Sequence, residues 1–123
     1  MKICITSSGE TIESALDPRF GRCSYFIIAD LESGEHSAVA NEAVGFGGGA
    51  GISSGQLVAE KGVTAVITGN VGPNALKVLK TAGIEIFRGT DATVKENIER
   101  YKAGGLEKIT ENVPSHFGMK NRG

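Results

Sequence analysis

Apolar residues come in short blocks separated by polar and glycine-rich breaks, and the blocks change period along the chain. Lys2 to Thr6 is a β-branched, apolar run ended by Ser7-Ser8-Gly9, which predicts a first strand. Ser7 to Arg22 has no period and carries a turn signal at Asp17-Pro18. Ser24 to Asp30 is almost continuously apolar, the pattern of a strand covered on both faces. Glu32-Ser33-Gly34-Glu35 turns the chain, and His36 to Asn41 returns as an antiparallel edge strand. From there the period lengthens. Ile52, Leu57, Val58 and Ala59 form a helical stripe stopped by Lys61-Gly62. Val63 to Thr68 reads as a buried strand, and Pro73 opens a second helix with Ala75, Leu76 and Leu79 on its apolar face and Gly83 at its end. Ile84 to Phe87 is the fifth strand. Thr93-x-x-Glu96 is a capping box that starts a helix with Val94, Ile98 and Tyr101 on one face, ended by Gly104-Gly105.

The order β-β-β-α-β-α-β-α predicts an α/β protein. Three strands meander, and two right-handed crossovers then add parallel strands beside the first. The expected sheet is five-stranded and mixed, in order 3-2-1-4-5 with strand 2 antiparallel and helices on both faces: a ribonuclease H-like three-layer α/β/α layout. In that layout the loops Ser7–Cys23, Ala43–Gly51, Gly69–Gly72 and Arg88–Asp91 converge on one edge, where open α/β sheets bind ligands.

A length of 123 residues suits one domain, expected over residues 1–105, with a loosely held tail over residues 106–123. Thirteen basic against fourteen acidic residues leave no electrostatic footprint for nucleic acid or an anionic membrane. Two cysteines are too few for a disulfide framework or a four-thiolate zinc site. No run approaches 18 apolar residues and Met1 to Thr6 lacks a signal-like apolar region, so a cytoplasmic protein is expected.

Three features of the converging loops carry chemistry. Arg19 and Arg22 flank the thiol of Cys23 in Asp17-Pro18-Arg19-Phe20-Gly21-Arg22-Cys23. Nearby guanidiniums favour a thiolate, which suits a soft metal or an anionic cluster; the alternative is a packed small side chain with solvated arginines. Cys4, inside the first strand, reads as core. Gly45-Phe46-Gly47-Gly48-Gly49-Ala50-Gly51 precedes a helix, either as an anion-binding nest of N–H groups or as a plain flexible loop. It resembles a dinucleotide fingerprint only loosely, since it does not follow a strand of a parallel βαβ unit and no P-loop is present. In Gly69-Asn70-Val71-Gly72-Pro73-Asn74, Asn70 and Asn74 either donate to an anion or cap the turn. His36 and His116 read as surface residues. The first strand carries no carboxylate, which excludes ribonuclease H-type nuclease chemistry, and no Ser/His/Asp set argues for hydrolysis.

At Asp17 to Phe26 (DPRFGRCSYF), Gly48 to Ile52 (GGAGI) and Gly69 to Ala75 (GNVGPNA), the chain resembles the dinitrogenase iron–molybdenum cofactor biosynthesis family. The likeness spans roughly residues 1–105, and the DPRFGR form is similar to its orange-protein-like small members. That resemblance implies a ribonuclease H-like fold and a non-enzymatic carrier of an anionic metal–sulfur cluster, of Fe-Mo-S or Mo-Cu-S type, or its precursor. Cluster donor or acceptor proteins are the implied partners. Many family members carry His-Phe-Gly where Arg19-Phe20-Gly21 stands, and some carry Gly-His where Asn70 stands. The site expected from residues and resemblance together has Cys23 as the metal ligand. Arg19, Phe20, Gly21 and Arg22 lie beside it, with Gly47, Gly48, Gly49 and Gly51 as an N–H lid and Asn70, Gly72 and Asn74 opposite. The competing expectations are a metal-free small-anion or nucleotide-binding regulatory module and an interaction domain whose site has decayed.

Overall fold

The computed structural model describes residues 1–42 and 50–110. In chain order the elements are β1 (Lys2–Ser7), β2 (Tyr25–Asp30), β3 (His36–Ala40), α1 (Ala50–Glu60), β4 (Ala65–Thr68), α2 (Pro73–Thr81), β5 (Glu85–Arg88), α3 (Val94–Lys102) and β6 (Glu107–Lys108). They form one mixed sheet in the order β3-β2-β1-β4-β5-β6. β2 runs antiparallel to β1 and β3, whereas β4 and β5 lie parallel to β1, as the crossovers require.

The apolar runs are continuous because both sheet faces are covered. Cys4, Phe26, Ile28, Val66 and Ile86 point toward α1 and α2, where Val58, Ala75, Leu76 and Leu79 meet them. Ile3, Ile5, Ile27, Ala65 and Ile67 point the other way, toward Leu16 and the α3 residues Val94, Ile98 and Tyr101. α1 and α2 approach closely: a Cβ at Gly51 would lie 3.2 Å from the Ala75 Cβ, and one at Gly55 would lie 2.8 Å from a Val78 methyl. The Thr93–Glu96 capping box forms as its spacing predicts, and Gly62, Gly83 and Gly104 stop the three helices in the left-handed region.

Two expectations need correction. The sheet has six strands rather than five, because β6 pairs antiparallel with β5, matching Phe87 to Lys108 and Arg88 to Glu107. The expected tail from residue 106 therefore begins as part of the domain: the Ile109 N–H donates to Ile86 O (2.7 Å) and the Ile109 side chain is buried. Residues 111–123, with His116, lie outside the described residues.

Candidate functional site

β1, β3, β4 and β5 all end at one edge of the sheet, β2 begins there, and α1, α2 and α3 start from it. Residues 8–24 fold back over this edge. The Asp17 N–H donates to Thr6 O (3.0 Å), and Thr6 Oγ1 donates to Asp17 O (2.6 Å) and lies 2.9 Å from Thr68 Oγ1. The turn then crosses to the loop after β4. The Asn70 N–H donates to Pro18 O (2.6 Å) and the Phe20 N–H to Asn70 O (3.2 Å), pairing Arg19 with Asn70 as an isolated parallel bridge. Gly69 permits that approach, because a Cβ there would lie 2.8 Å from the Pro18 backbone. The first and third sequence motifs are thus joined by backbone hydrogen bonds.

Within the turn, one side chain points in and two point out. Phe20 is buried against Phe26, with ring centroids 5.8 Å apart, and Gly21 takes a φ of 93° that any other residue would strain to hold. Arg19 and Arg22 are consequently exposed. Asp17 fixes Arg19: its carboxylate accepts from the Arg19 backbone N–H (3.0 Å), Nε (3.1 Å) and Nη2 (3.0 Å). These contacts raise the Arg19 pKa further, so the guanidinium stays charged and is held in one orientation at the surface. Asp17 itself is almost fully buried.

Cys23 lies beneath this surface with no exposed area. Two carbonyls beside it, Gly21 O (3.1 Å) and Cys23 O (2.9 Å), accept from Asn41 Nδ2, which also lies 3.9 Å from the sulfur. Ser54 Oγ of α1 donates to Asn41 Oδ1 (3.3 Å), so one buried amide ties the turn, the end of β3 and α1 together. Of the two readings of Cys23, a thiolate favoured by Arg19 and Arg22 or a packed small side chain with solvated arginines, the burial fits the second. Burial, with the Asp17 charge adding to it, pushes the thiol up to about 12, against the weaker pull of the N–H groups of Gly21, Ser7 and Cys23. The arginines face outward, and Arg19 already has a carboxylate partner. Cys4 is likewise a buried thiol whose pKa burial raises.

The opposite wall is the start of α2. Gly72 is its N-cap without a side-chain cap, so neither Asn70 nor Asn74 caps the helix. Gly72 and Asn74 are exposed. Asn70 Oδ1 is buried without a hydrogen-bond partner among the described residues. Gly51 faces Ala75 within the helix packing, and Gly47, Gly48 and Gly49 lie outside the described residues. Neither α1 nor α2 has an acidic residue in its first turn, whereas α3 carries Glu96 in its own. Two helix N-termini therefore leave their positive ends uncompensated by first-turn acids at the edge where Arg19 stands.

Asn41 and Asp17 were not among the expected site residues. Each reads in sequence as an ordinary polar residue ending a strand or opening a turn, and only tertiary contacts give it a role. His36 is exposed on β3, as expected. No group of three or more His, Cys, Asp or Glu that could hold a metal ion occurs among the described residues. A depression of about 440 Å³ lined by Leu31, Phe87, Tyr101, Lys102, Gly104 and Leu106 lies beneath the C-terminal end of α3, away from this edge. No helix among the described residues is long and apolar enough to cross a membrane.

A family model described as dinitrogenase iron-molybdenum cofactor matches residues 1–104. The uncharacterized protein MJ0580 of Methanocaldococcus jannaschii is 38% identical over 97 residues, covering 76% of this chain and 82% of its own. The apo form of the orange protein from Desulfovibrio gigas superposes with a TM-score of 0.88 at 31% identity, over 91% of this chain and 95% of its own. A Thermotoga protein, TM1290, whose description relates it to NifB, gives a TM-score of 0.82 at 38% identity, over 91% and 96%.

Proposed function

The chain belongs to the dinitrogenase iron-molybdenum cofactor family, and from that premise we propose that it is a non-enzymatic carrier of an anionic metal–sulfur cluster, of iron–molybdenum or molybdenum–copper type. The observation that carries this reading is the charged edge. A guanidinium locked by Asp17 stands at the sheet edge from which α1 and α2 start without first-turn acids, and the DPRFGR turn is joined to the Gly69–Asn74 loop by backbone hydrogen bonds. Such a surface binds a large, soft anion by charge and N–H donation, and it lets the cargo leave again. Arg19 and Arg22 supply charge, and the first-turn amides of α2 and the exposed Asn74 supply donors. Phe20 and Gly21 shape the turn that presents them.

Cys23 acts late in this account. Its sulfur is a buried thiol, so a metal–sulfur bond requires the Asn41 contacts to release and the thiol proton to pass to solvent. Capture at the edge comes first, and at most one thiolate bond follows. Donor and acceptor proteins would meet the cargo at the same edge, which fits a cytoplasmic role in cofactor assembly.

The test is an anaerobic titration with tetrathiomolybdate, alone and with copper(I) or iron(II), followed by visible charge-transfer bands and by metal retained after desalting. Stoichiometric retention is expected. Arg19→Gln should weaken it about tenfold, the scale of one charged hydrogen bond. The Asp17 carboxylate would still accept the backbone N–H at residue 19 in that variant. Cys23→Ser should capture cargo as well but release it faster. No retention from any mixture, or retention indifferent to Arg19→Gln, would overturn the reading; phosphates and nucleotides that bind instead would favour a metal-free anion module.

A further inference from the structure

The two edges of the sheet differ. β6 is two residues long, both charged, and both are in ion pairs: Glu107 with Arg88 (3.5 Å) and Lys108 with Glu85 (2.8 Å). That edge is short and protected in the way monomeric sheets usually are. β3 is five residues long, reads His-Ser-Ala-Val-Ala, and carries no lysine, carboxylate or proline. Four of its five residues are exposed, and Val39 alone is half-buried, packed on the α1–α2 side.

The register shows which backbone groups this edge leaves open. The Asn41 N–H donates to Ser24 O (3.0 Å) and the Asp30 N–H to Glu35 O (2.8 Å), so the odd-numbered residues of this strand bond inward to β2. His36, Ala38 and Ala40 therefore turn their N–H and C=O groups outward, and no described residue meets them.

We propose that β3 pairs antiparallel with β3 of a second copy of this chain, about a two-fold axis at Ala38. In that register Ala38 faces Ala38 and His36 faces Ala40, so every outward N–H and C=O of the three residues finds a partner. The register sets no charge against its like: β3 has no lysine, arginine or carboxylate, and Glu35 just before it stands across from the neutral Asn41 just after the other copy's β3. An isologous contact of this kind closes at two copies, because each copy has one such edge. The area is small, so the dimer is concentration-dependent. Antiparallel pairing sets the two cargo-binding edges at opposite ends of the joined sheet. Dimerisation and cargo binding are then independent, and each can fail without the other.

Sedimentation velocity from micromolar to millimolar chain concentration tests the proposal, with amide hydrogen exchange alongside. The sedimenting mass should double with concentration. The amides of His36, Ala38 and Ala40 should gain protection in step with it, while those of Ser37 and Val39 are protected throughout by β2. Ala38→Lys, which places two ammonium groups face to face, and Ala38→Pro, which removes an outward N–H without touching a β2 bond, should both stay monomeric. A wild-type chain that is monomeric at every concentration would overturn the proposal. So would a dimer that survives both variants or shows no alternation in protection; if a variant misfolds, the wild-type alternation decides.

Discussion

Cys23 in the folded protein is expected to react with iodoacetamide at neutral pH about 10³-fold more slowly than the same residue in urea. Alkylation needs the thiolate. An ordinary cysteine is a few per cent ionised at pH 7, whereas a thiol at about 12 is ionised in roughly one molecule in 10⁵. The same shift sets a pH dependence. The unfolded chain loses this proton near its ordinary value, about pH 8.5–9, and the folded chain only near 12. Between those limits unfolding releases a proton, so stability is complete below about pH 8 and falls as pH rises, by up to about 1.4 kcal/mol per unit for one thiol. Cys4 adds to the fall with the same sign. Urea midpoints measured from pH 7 to 11 should show this decline, and Cys23→Ser should make it shallower, leaving the share of Cys4. Fast alkylation of the folded protein, or a pH-independent midpoint, would mean that the thiol is ionised and available as a first ligand.

Asn41→Ala is expected to lower unfolding stability by about 2–3 kcal/mol. The wild-type amide is buried and donates to two carbonyls of the cysteine turn while Ser54 donates to it. Truncation leaves these groups without their amide partner and opens a space beside the sulfur. Because the lost contacts are the ones holding the turn closed, the alkylation rate of Cys23 should rise at least tenfold in the same variant. Urea denaturation and mass-detected alkylation read the two effects. A stability loss without faster alkylation would assign Asn41 to packing alone and leave the turn closed by Phe20.

Much of this was legible in the sequence. The continuous apolar strands, the Thr93–Glu96 box and the glycine stops are local signals, and the sheet order followed from the element order and the handedness of crossovers. β6 was not legible, because Glu107-Lys108 has no apolar pattern; Ile109 and pairing to β5 hold it. The convergence of Arg19 with Asn70 was foreseen as loops sharing an edge. The electrostatics of Cys23 were not. Sequence proximity placed two arginines near the sulfur, whereas burial of Phe20 and the φ of Gly21 turn both guanidiniums outward and seal the thiol below. Gly51 illustrates the same limit: it belongs to a glycine-rich run, yet its structural place is against Ala75.

The central claim is that cargo sits on the edge formed by the DPRFGR turn and the start of α2. Amide chemical-shift mapping during an anaerobic titration with the tetrathiomolybdate–copper cluster tests it most directly. The account predicts that the largest shifts fall on residues 19–24, 41–42 and 69–75, while residues 31–35, 61–64 and 82–84 at the opposite end stay in place. Shifts centred on that opposite end, or around Phe87 and Tyr101 in the depression below α3, would contradict it.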